Sequence, residues 1–380
     1  MNLQELRKEI DAIDTQLVSL FSRRMEISSD VARYKAENNL PVYDPARERQ
    51  KLADIGSKLP DDLKEYGYTL YSLLFELSRS RQSRILTHGN DITEKISKAI
   101  ENTPKTLPFA PVVACQGVEG AYSQIACEKA FSYPNIFYFQ SFESVFTAIE
   151  KGLCKYGVVP VENSTAGSVN KVYDLMMSHN FSIVRSVRIK VDHNLLAKPG
   201  TKMEDIREIF SHEQAISQCA DFLSTLKDVR ITPVANTAIA AKMVAESGRN
   251  DVAALSSSSC ARLYSLQCLK SSVQDKGNNF TRFIVISKDL EIFPGADRTS
   301  LMCILPDKPG SLYRILSRFN SLNINLKKLE SRPIPDRNFE FMFYFDLDIS
   351  INSPNFIQLI GELETACDEF SYLGSYSEVI

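Results

Sequence analysis

Apolar residues near the start of the chain recur at Leu3, Leu6, Ile10, Ile13, Leu17 and Leu20, then at Ile27, Val31 and Tyr34, in steps of three and four. That period predicts one long amphipathic helix, ended by Pro41 and Pro45. A second helix is expected from Ala46 to about Ser57, and a third after Pro60-Asp61-Asp62 to about Leu86. Residues 1–88 therefore read as an all-α module. Its first apolar stripe is longer than so short a module can cover by itself, which points to a partner chain, a homodimer at least.

The pattern then breaks. His88 to Pro111 is polar and interrupted by Gly89, Pro104, Pro108 and Pro111, so residues 89–110 read as a linker. Beyond it, short apolar runs (Val112-Val113-Ala114, Ile136 to Phe139, Gly157 to Val161, Phe283 to Ile286) alternate with helical stretches such as Ser123 to Phe131 and Ser141 to Lys151. Alternation of this kind predicts an α/β domain over residues 111–288 with a largely parallel sheet. From Thr299 to Tyr376 the order becomes strand (Ser300 to Leu305), helix (Ser311 to Asn320), strand (Ile324 to Ser331), strand (Phe339 to Asp348), helix (Asn355 to Cys367) and strand (Tyr372 to Tyr376). This is an α+β unit, βαββαβ, over residues 299–376.

Composition narrows the function. A chain of 380 residues exceeds one ordinary core, in keeping with several domains. Hydrophobic residues at 44% and charged residues at 24% suit a soluble protein, and no apolar run reaches the roughly 20 residues of a membrane span. The opening Met1-Asn2-Leu3-Gln4-Glu5-Leu6-Arg7 lacks the layout of a secretory signal, which places the protein in the cytoplasm. The 8 cysteines contain no C-x-x-C pair and the 4 histidines no ligand spacing, so reduced core thiols are expected, with no metal and no cofactor. A net charge of −3 provides no field for nucleic acid. An anionic substrate must be held by a local cluster.

One such cluster lies in the helical module. Arg24 and Lys35, eleven residues apart, are separated by only about 20° around a helix, whereas Arg7 lies roughly 25 Å down the axis from Arg24. If Arg7 serves the same kind of site, it serves a partner's. Asp44, Arg47 and Glu48 gather at the start of the second helix, and Ser78 and Gln82 are one turn apart on the third. Taken singly, each cation fits the solvated face of an amphipathic helix. In order, Leu6 to Asp14, Arg23-Arg24, Lys35, Pro41 to Arg49 and Ser78-x-x-x-Gln82 resemble the helical chorismate mutases. The resemblance implies that Arg7, Arg24 and Ser78 bind substrate carboxylates, with Arg7 donated across a dimer. Lys35 and Gln82 would face the ether oxygen of chorismate, and Asp44 and Glu48 its ring hydroxyl. The chemistry suits these residue types, since a Claisen-type rearrangement needs no nucleophile but gains from donors aimed at the oxygen that becomes negative.

In the α/β segment, Gly117 to Ser123, Val159 to Val169, Ser211-His212-Glu213-Gln214 through Gln218-Cys219, Asn236 to Ala241 and Asn279-Phe280-Thr281-Arg282-Phe283 each set hydroxyl and amide groups at the end of an apolar run. The set is similar to prephenate dehydratase, Thr281-Arg282-Phe283 being its most specific element. By that likeness the domain has two lobes of the periplasmic-binding-protein type with prephenate between them. Thr281 would donate a hydrogen bond near the leaving hydroxyl. Asn163, Ser164, Ser211, Gln218 and Arg282 would bind carboxylate and hydroxyl groups, oriented by Glu162. Arg282 has a rival reading as a structural ion-pair residue. Val118 and Ser265 stand where that family commonly has proline and glycine.

The βαββαβ order, Asp307-Lys308-Pro309-Gly310-Ser311-Leu312 at a strand-to-helix turn and Glu330-Ser331-Arg332-Pro333 on the second strand resemble the ACT domain of feedback-inhibited prephenate dehydratases. Gly310, Ser311 and Leu312 with Glu330, Ser331, Arg332 and Pro333 would then bind phenylalanine where two such domains meet. Removing residues from about Arg298 onward is expected to leave an active, insensitive enzyme. Two rivals remain at this level. One is a non-catalytic sensor, against which stand Thr281 and the full mutase set. The other is a dehydratase whose helical module only dimerises, against which stand Lys35, Glu48 and Gln82.

Overall fold

A computed structural model describes residues 2–38, 40–86, 91–335, 337 and 340–380. His88 and Gly89 at the head of the expected linker, Phe339 at the head of an expected strand and the side chain of Arg84 lie outside the described residues. The chain divides into two compact units, one of residues 1–95, 305–323 and 353–370, the other of residues 96–304, 324–352 and 371–380. The βαββαβ segment thus contributes its helices to the first unit and most of its sheet to the second.

In the first unit, α1 (Leu3–Glu37), α2 (Pro45–Lys58) and α3 (Lys64–Leu86) match the three expected helices. Helix α1 opens with a capping box, in which Asn2 Oδ1 accepts from the Gln4 and Glu5 amides at 2.9 Å and Glu5 Oε2 accepts from the Asn2 amide at 2.8 Å. Helix α2 begins with Pro45 behind the cap Asp44, whose Oδ1 accepts from the Arg47 amide at 3.0 Å. Leu6, Ile10, Ile13, Leu17 and Leu20 are all exposed, and only Ser28, Ser29 and Ala32 of α1 are buried. Helices Ser311–Ser321 and Phe356–Ala366 complete this unit.

The segment expected as a linker is not one throughout, because helix Asp91–Asn102 occupies much of it. Ile92, Ile96 and Ala99 recur at helical spacing, and Ile96 and Ala99 are buried. The flanking prolines hid a short amphipathic element whose period is regular.

The second unit contains two α/β lobes and a four-stranded sheet. In the first lobe the strands lie in the order Glu378–Val379, Ser182–Lys190, Phe280–Ser287, Tyr156–Asn163, Val112–Gln116 and Asn135–Phe139, with Gly167–Ser168 added on Tyr156–Asn163. In the second they run Gln267–Lys270, Asn194–Ala197, Val252–Ser256, Glu208–Ser211 and Arg230–Pro233. Neither sheet is largely parallel. Phe280–Ser287 is antiparallel to both of its neighbours, and Asn194–Ala197 to both of its own. The reason is connectivity. The chain leaves the first lobe after Lys190, builds the second and returns at Phe280, and the two crossings are tied by the Val191 amide donating to Asn279 O at 2.8 Å.

The C-terminal sheet has the order Asn325–Pro333, Phe341–Asp348, Arg298–Ile304 and Glu369–Tyr376. It shares one core with the first lobe, where Met302, Ile304, Met342, Tyr344, Leu373 and Tyr376 pack with Val161, Met176, Ile183 and Ile284. Deleting residues from Arg298 onward would uncover part of the dehydratase core as well as remove the effector segment, so the expected clean separation is not what this packing allows. Ser265 takes a φ of +54°, the left-handed region that glycine enters without penalty.

Gly374 has a φ of +142°, and a Cβ there would lie 2.3 Å from the Ile183 carbonyl oxygen. A Gly374→Ala variant should therefore lose roughly 2–4 kcal/mol of stability from strain and overlap. Gly248→Ala, with nothing within 4 Å, serves as the control. Thermal unfolding of the two variants, with Gly374→Ala melting well below the control, is the expected outcome.

Candidate active sites

In the first unit, α1 and α3 bring Arg24 and Ser78 together. The Arg24 guanidinium donates to Ser78 Oγ and, at 2.9 Å, to Leu74 O, and burial lowers its pKa from the ordinary value. Lys35 Nζ donates to Val42 O at 2.6 Å, tying the end of α1 to the turn before α2. Gln82 is buried, and its Oε1 has no hydrogen-bond partner. Glu48 forms an ion pair with Arg79, one of the arginines that crowd α3. Asp44 and Arg47 are exposed, Asp44 acting as the α2 cap and Arg47 reaching Gln50 at 3.5 Å. Arg7 lies near the exposed start of α1, and among the described residues no hydrogen bond or ion pair of its side chain is seen. The structure thus gathers Arg24 with Ser78 and leaves Arg7 apart, as the axial spacing requires.

The opposite face of α3 has other company. Ser80 Oγ donates to Glu362 Oε1 at 2.9 Å, and Arg318 pairs with the other carboxylate oxygen. Beside them a cleft of about 700 Å³ is lined by Leu73, Glu76, Arg79, Arg314 and Glu362 among others; Pro41, Val42 and Tyr43 reach it, but none of Arg7, Arg24, Lys35, Asp44, Arg47, Glu48, Ser78 and Gln82 does.

In the second unit, Thr281 and Asn163 are paired across neighbouring strands and form the centre of an amide and hydroxyl network. Asn163 Nδ2 donates to Thr281 Oγ1 at 2.9 Å and to Asn279 Oδ1 at 2.8 Å. Its Oδ1 accepts from the Thr165 amide, the Thr165 hydroxyl and the Ala166 amide at 3.0, 2.7 and 2.9 Å. Gln218, from the second lobe, donates to Thr165 Oγ1 and accepts from Asn279 Nδ2, both at 2.8 Å, so the network spans the lobes. Because Thr281 accepts from Asn163, its own hydroxyl hydrogen is left to point elsewhere. Ser164 closes the loop locally, donating to Asn278 O at 2.8 Å and accepting from the Phe280 amide at 2.9 Å.

Three expected residues sit elsewhere. Ser211 is fully buried and donates to Leu255 O at 2.9 Å within its own sheet. Glu162 and Arg282 are strand neighbours of Asn163 and Thr281 and face the other way, as strand alternation dictates. Arg282 pairs with Asp346, with Glu162 Oε2 at 3.6 Å, and Lys328 Nζ donates to Glu162 Oε1 at 3.0 Å. Burial opposes the charge on Arg282, yet Asp346 and nearby phenols hold its pKa above the ordinary value. The cavity beside it is only about 20 Å³, far too small for a ring-bearing substrate. Here the ion-pair reading of Arg282 is the observed one.

Of the residues expected to bind the effector, Gly310 caps helix Ser311–Ser321 with a φ of +83° and no side-chain cap, Ser311 is buried and accepts from Arg314 at 2.8 Å, and Leu312 follows on the first turn. On strand Asn325–Pro333, Glu330 accepts from Ser168 Oγ at 2.5 Å and Arg332 grips Asp174 at 2.8 and 3.2 Å, while Ser331 and Pro333 alternate with them.

Sequence reasoning missed Asn279, Thr165 and His193. The first two lie inside the runs that flank Thr281 and Asn163, and their signal was present as amide and hydroxyl groups at strand ends. His193 was weighed only as a metal ligand. It is buried, and its Nε2 lies 3.1 Å from Gln218 Oε1, which as an amide oxygen takes the acceptor role.

Three family models match in succession: chorismate mutase type II over residues 6–83, prephenate dehydratase over 113–291 and the ACT domain over 299–364. The chain is therefore a prephenate dehydratase with a helical chorismate mutase domain before it and an ACT domain after it. A bifunctional chorismate mutase/prephenate dehydratase of Aquifex aeolicus is 31% identical over 100% of this chain and 98% of its own length. The corresponding protein of Escherichia coli is 30% identical over 98% of this chain and 96% of its own. The chain belongs to the bifunctional chorismate mutase/prephenate dehydratase family. Among solved structures, the prephenate dehydratase of Arthrobacter aurescens in complex with L-phenylalanine matches with a TM-score of 0.64 at 26% identity, over 70% of this chain and 89% of that one.

Burial holds the His193 imidazole below its ordinary pKa, opposed in part by Gln218. Between the depressed folded value and the ordinary value of about 6.5, the unfolded chain binds the proton and the folded one does not. Stability from this group is thus complete above about pH 6.5 and falls as the pH drops below it. Thermal unfolding followed from about pH 7.5 to about pH 5.5 should show a decline that is shallower in His193→Asn, and equal slopes would refute the assignment.

Proposed function

We propose that this chain rearranges chorismate to prephenate at its N-terminal helices and converts prephenate to phenylpyruvate at the Asn163–Thr281–Gln218 network, under inhibition by phenylalanine. The observation that carries the reading is that network, which spans two lobes next to the Thr281-Arg282-Phe283 triplet. In the first reaction the ether C–O bond of chorismate breaks as a new C–C bond forms. Arg24 and Ser78 hold a carboxylate, and Lys35 and Gln82 face the ether oxygen as it gains charge. In the second, the ring carboxylate leaves as carbon dioxide, its bonding pair completes the aromatic ring, and the hydroxyl departs and is protonated to water. Thr281, its oxygen already engaged by Asn163, donates its hydrogen bond to that departing group.

The working modules are residues 1–88, 111–288 and 299–376. The exposed stripe of Leu6, Ile10, Ile13 and Leu17 supports a homodimer in which Arg7 completes the partner's mutase site. The same reading places the enzyme in the cytoplasm.

Lys35→Ala should cost the mutase roughly 3 kcal/mol, or about a hundredfold in rate, and spare turnover of supplied prephenate, while Thr281→Ala should do the reverse. Purified protein given chorismate or prephenate, with prephenate and phenylpyruvate both followed, makes the comparison; parallel loss of both activities would contradict two separate sites. For regulation, phenylalanine must bind one state of the enzyme better than another. It should inhibit the dehydratase more strongly than the mutase, and Gly310→Val, a β-branched residue at a φ of +83°, should raise the inhibiting concentration roughly tenfold with uninhibited turnover little changed. Unaltered inhibition in that variant would move the effector site away from Gly310.

A further inference from the structure

Strands Tyr156–Asn163 and Phe280–Ser287 carry two adjacent pairs. Thr281 is registered against Asn163 and Arg282 against Glu162, after which the register shifts before Phe283. The first pair enters the amide network. The second, on the opposite face, is gripped by the C-terminal sheet. Lys328 Nζ donates to Glu162 Oε1 at 3.0 Å and to Ser168 Oγ at 2.7 Å, and Asp346 holds the Arg282 guanidinium. Ser168 in turn donates to Glu330, and Arg332 binds Asp174, so alternate residues Lys328, Glu330 and Arg332 clasp the dehydratase lobe with one face of their strand.

We propose that Lys328 and Asp346 are positioning residues for the dehydratase reaction, fixing Glu162 and Arg282 and through them the placement of Asn163 and Thr281. The inference rests on the function proposed above. A register shift interrupts the ladder immediately beside the two pairs, so backbone hydrogen bonding alone holds this stretch less firmly than a regular strand. The Arg282 and Asp346 side chains are only 11% and 15% exposed, and that of Lys328 15%, so their ion pairs are poorly screened and directional. A residue shifted by about 1 Å at a reacting centre can cost on the order of a hundredfold in rate. Among the described residues neither Lys328 nor Asp346 hydrogen-bonds a member of the amide network; Lys328 reaches it through Glu162 and Ser168, and Asp346 through Arg282, while Asp346 is itself held by Ser300 and Lys328 lies 3.4 Å from Glu330.

The test uses the full chain, with Lys328→Met and Asp346→Asn set beside the conservative Lys328→Arg and Asp346→Glu. For each, kcat and KM on prephenate, the unfolding midpoint and the mutase rate on chorismate are measured. Lys328→Met and Asp346→Asn should lower dehydratase kcat by about tenfold or more with KM changed far less, leave the mutase rate unchanged, and be partly rescued by the conservative variants. Asp346→Asn keeps the side-chain shape and guards against simple misfolding, which the mutase rate also reports. A lowered melting point with wild-type kcat would make both residues structural and overturn the inference. Absence of prephenate turnover in the wild type would instead sink the functional reading itself.

Discussion

Strand Phe280–Ser287 is hydrogen-bonded along both edges, to Tyr156–Asn163 on one side and Ser182–Lys190 on the other. Between Ser182–Lys190 and this strand the chain makes the whole second lobe and comes back. Its return aligns Thr281 with Asn163, brings Asn279 against Gln218 of the other lobe, and turns Arg282 toward Asp346. The amide network, the lobe crossing and the attachment of the C-terminal sheet are therefore three aspects of one insertion. Because neighbouring residues of a strand point to opposite faces, the amide network and the ion pairs to the C-terminal sheet sit one residue apart.

Helix α3 repeats this economy at helical period. Ser78 meets Arg24 on one side, while Ser80, roughly 160° around the helix from Ser78, meets Glu362 on the other. Arg79, between them, engages Glu48. A rotation or slide of α3 that improved one of these contacts would disturb the others, which makes it a two-sided element joining Arg24 of α1 to helix Phe356–Ala366 of the ACT segment.

Much of this was legible in the chain. Steps of three and four marked α1, proline breaks delimited α2 and α3, and the βαββαβ order was plain, because all of these depend on local pattern. Direction within the sheets was not legible, since Phe280–Ser287 reads as the same apolar run whether it lies parallel or antiparallel. The runs around Thr281, Asn163 and Gln218 singled out these residues but not their shared bonds, and the triplet could not separate Arg282, whose partner Asp346 lies 64 residues on, from residues facing the network. Ser211 shows the converse limit, for a serine at the end of a strand gives no sign of whether its hydroxyl faces a ligand or, as here, a carbonyl in the core. Helix Asp91–Asn102 was obscured by its flanks, although Ile96 is fully buried.

The short strand Glu378–Val379 lies parallel to Ser182–Lys190 at the margin of the first lobe, and the Glu378 carboxylate, 3% exposed, binds both Arg188 and Arg298. These residues leave the ribosome after the whole of the ACT segment. In a nascent chain Tyr156–Asn163 and Ser182–Lys190 are made well before Phe280–Ser287, the strand that lies between them, and Arg188 is made before the carboxylate that binds it. Pairings so distant in sequence form slowly, and the unfinished sheet is a surface on which chains can associate wrongly. The order in which the ribosome delivers the strands thus sets a period during which the sheet of the first lobe is incomplete and its strand edges are unpaired.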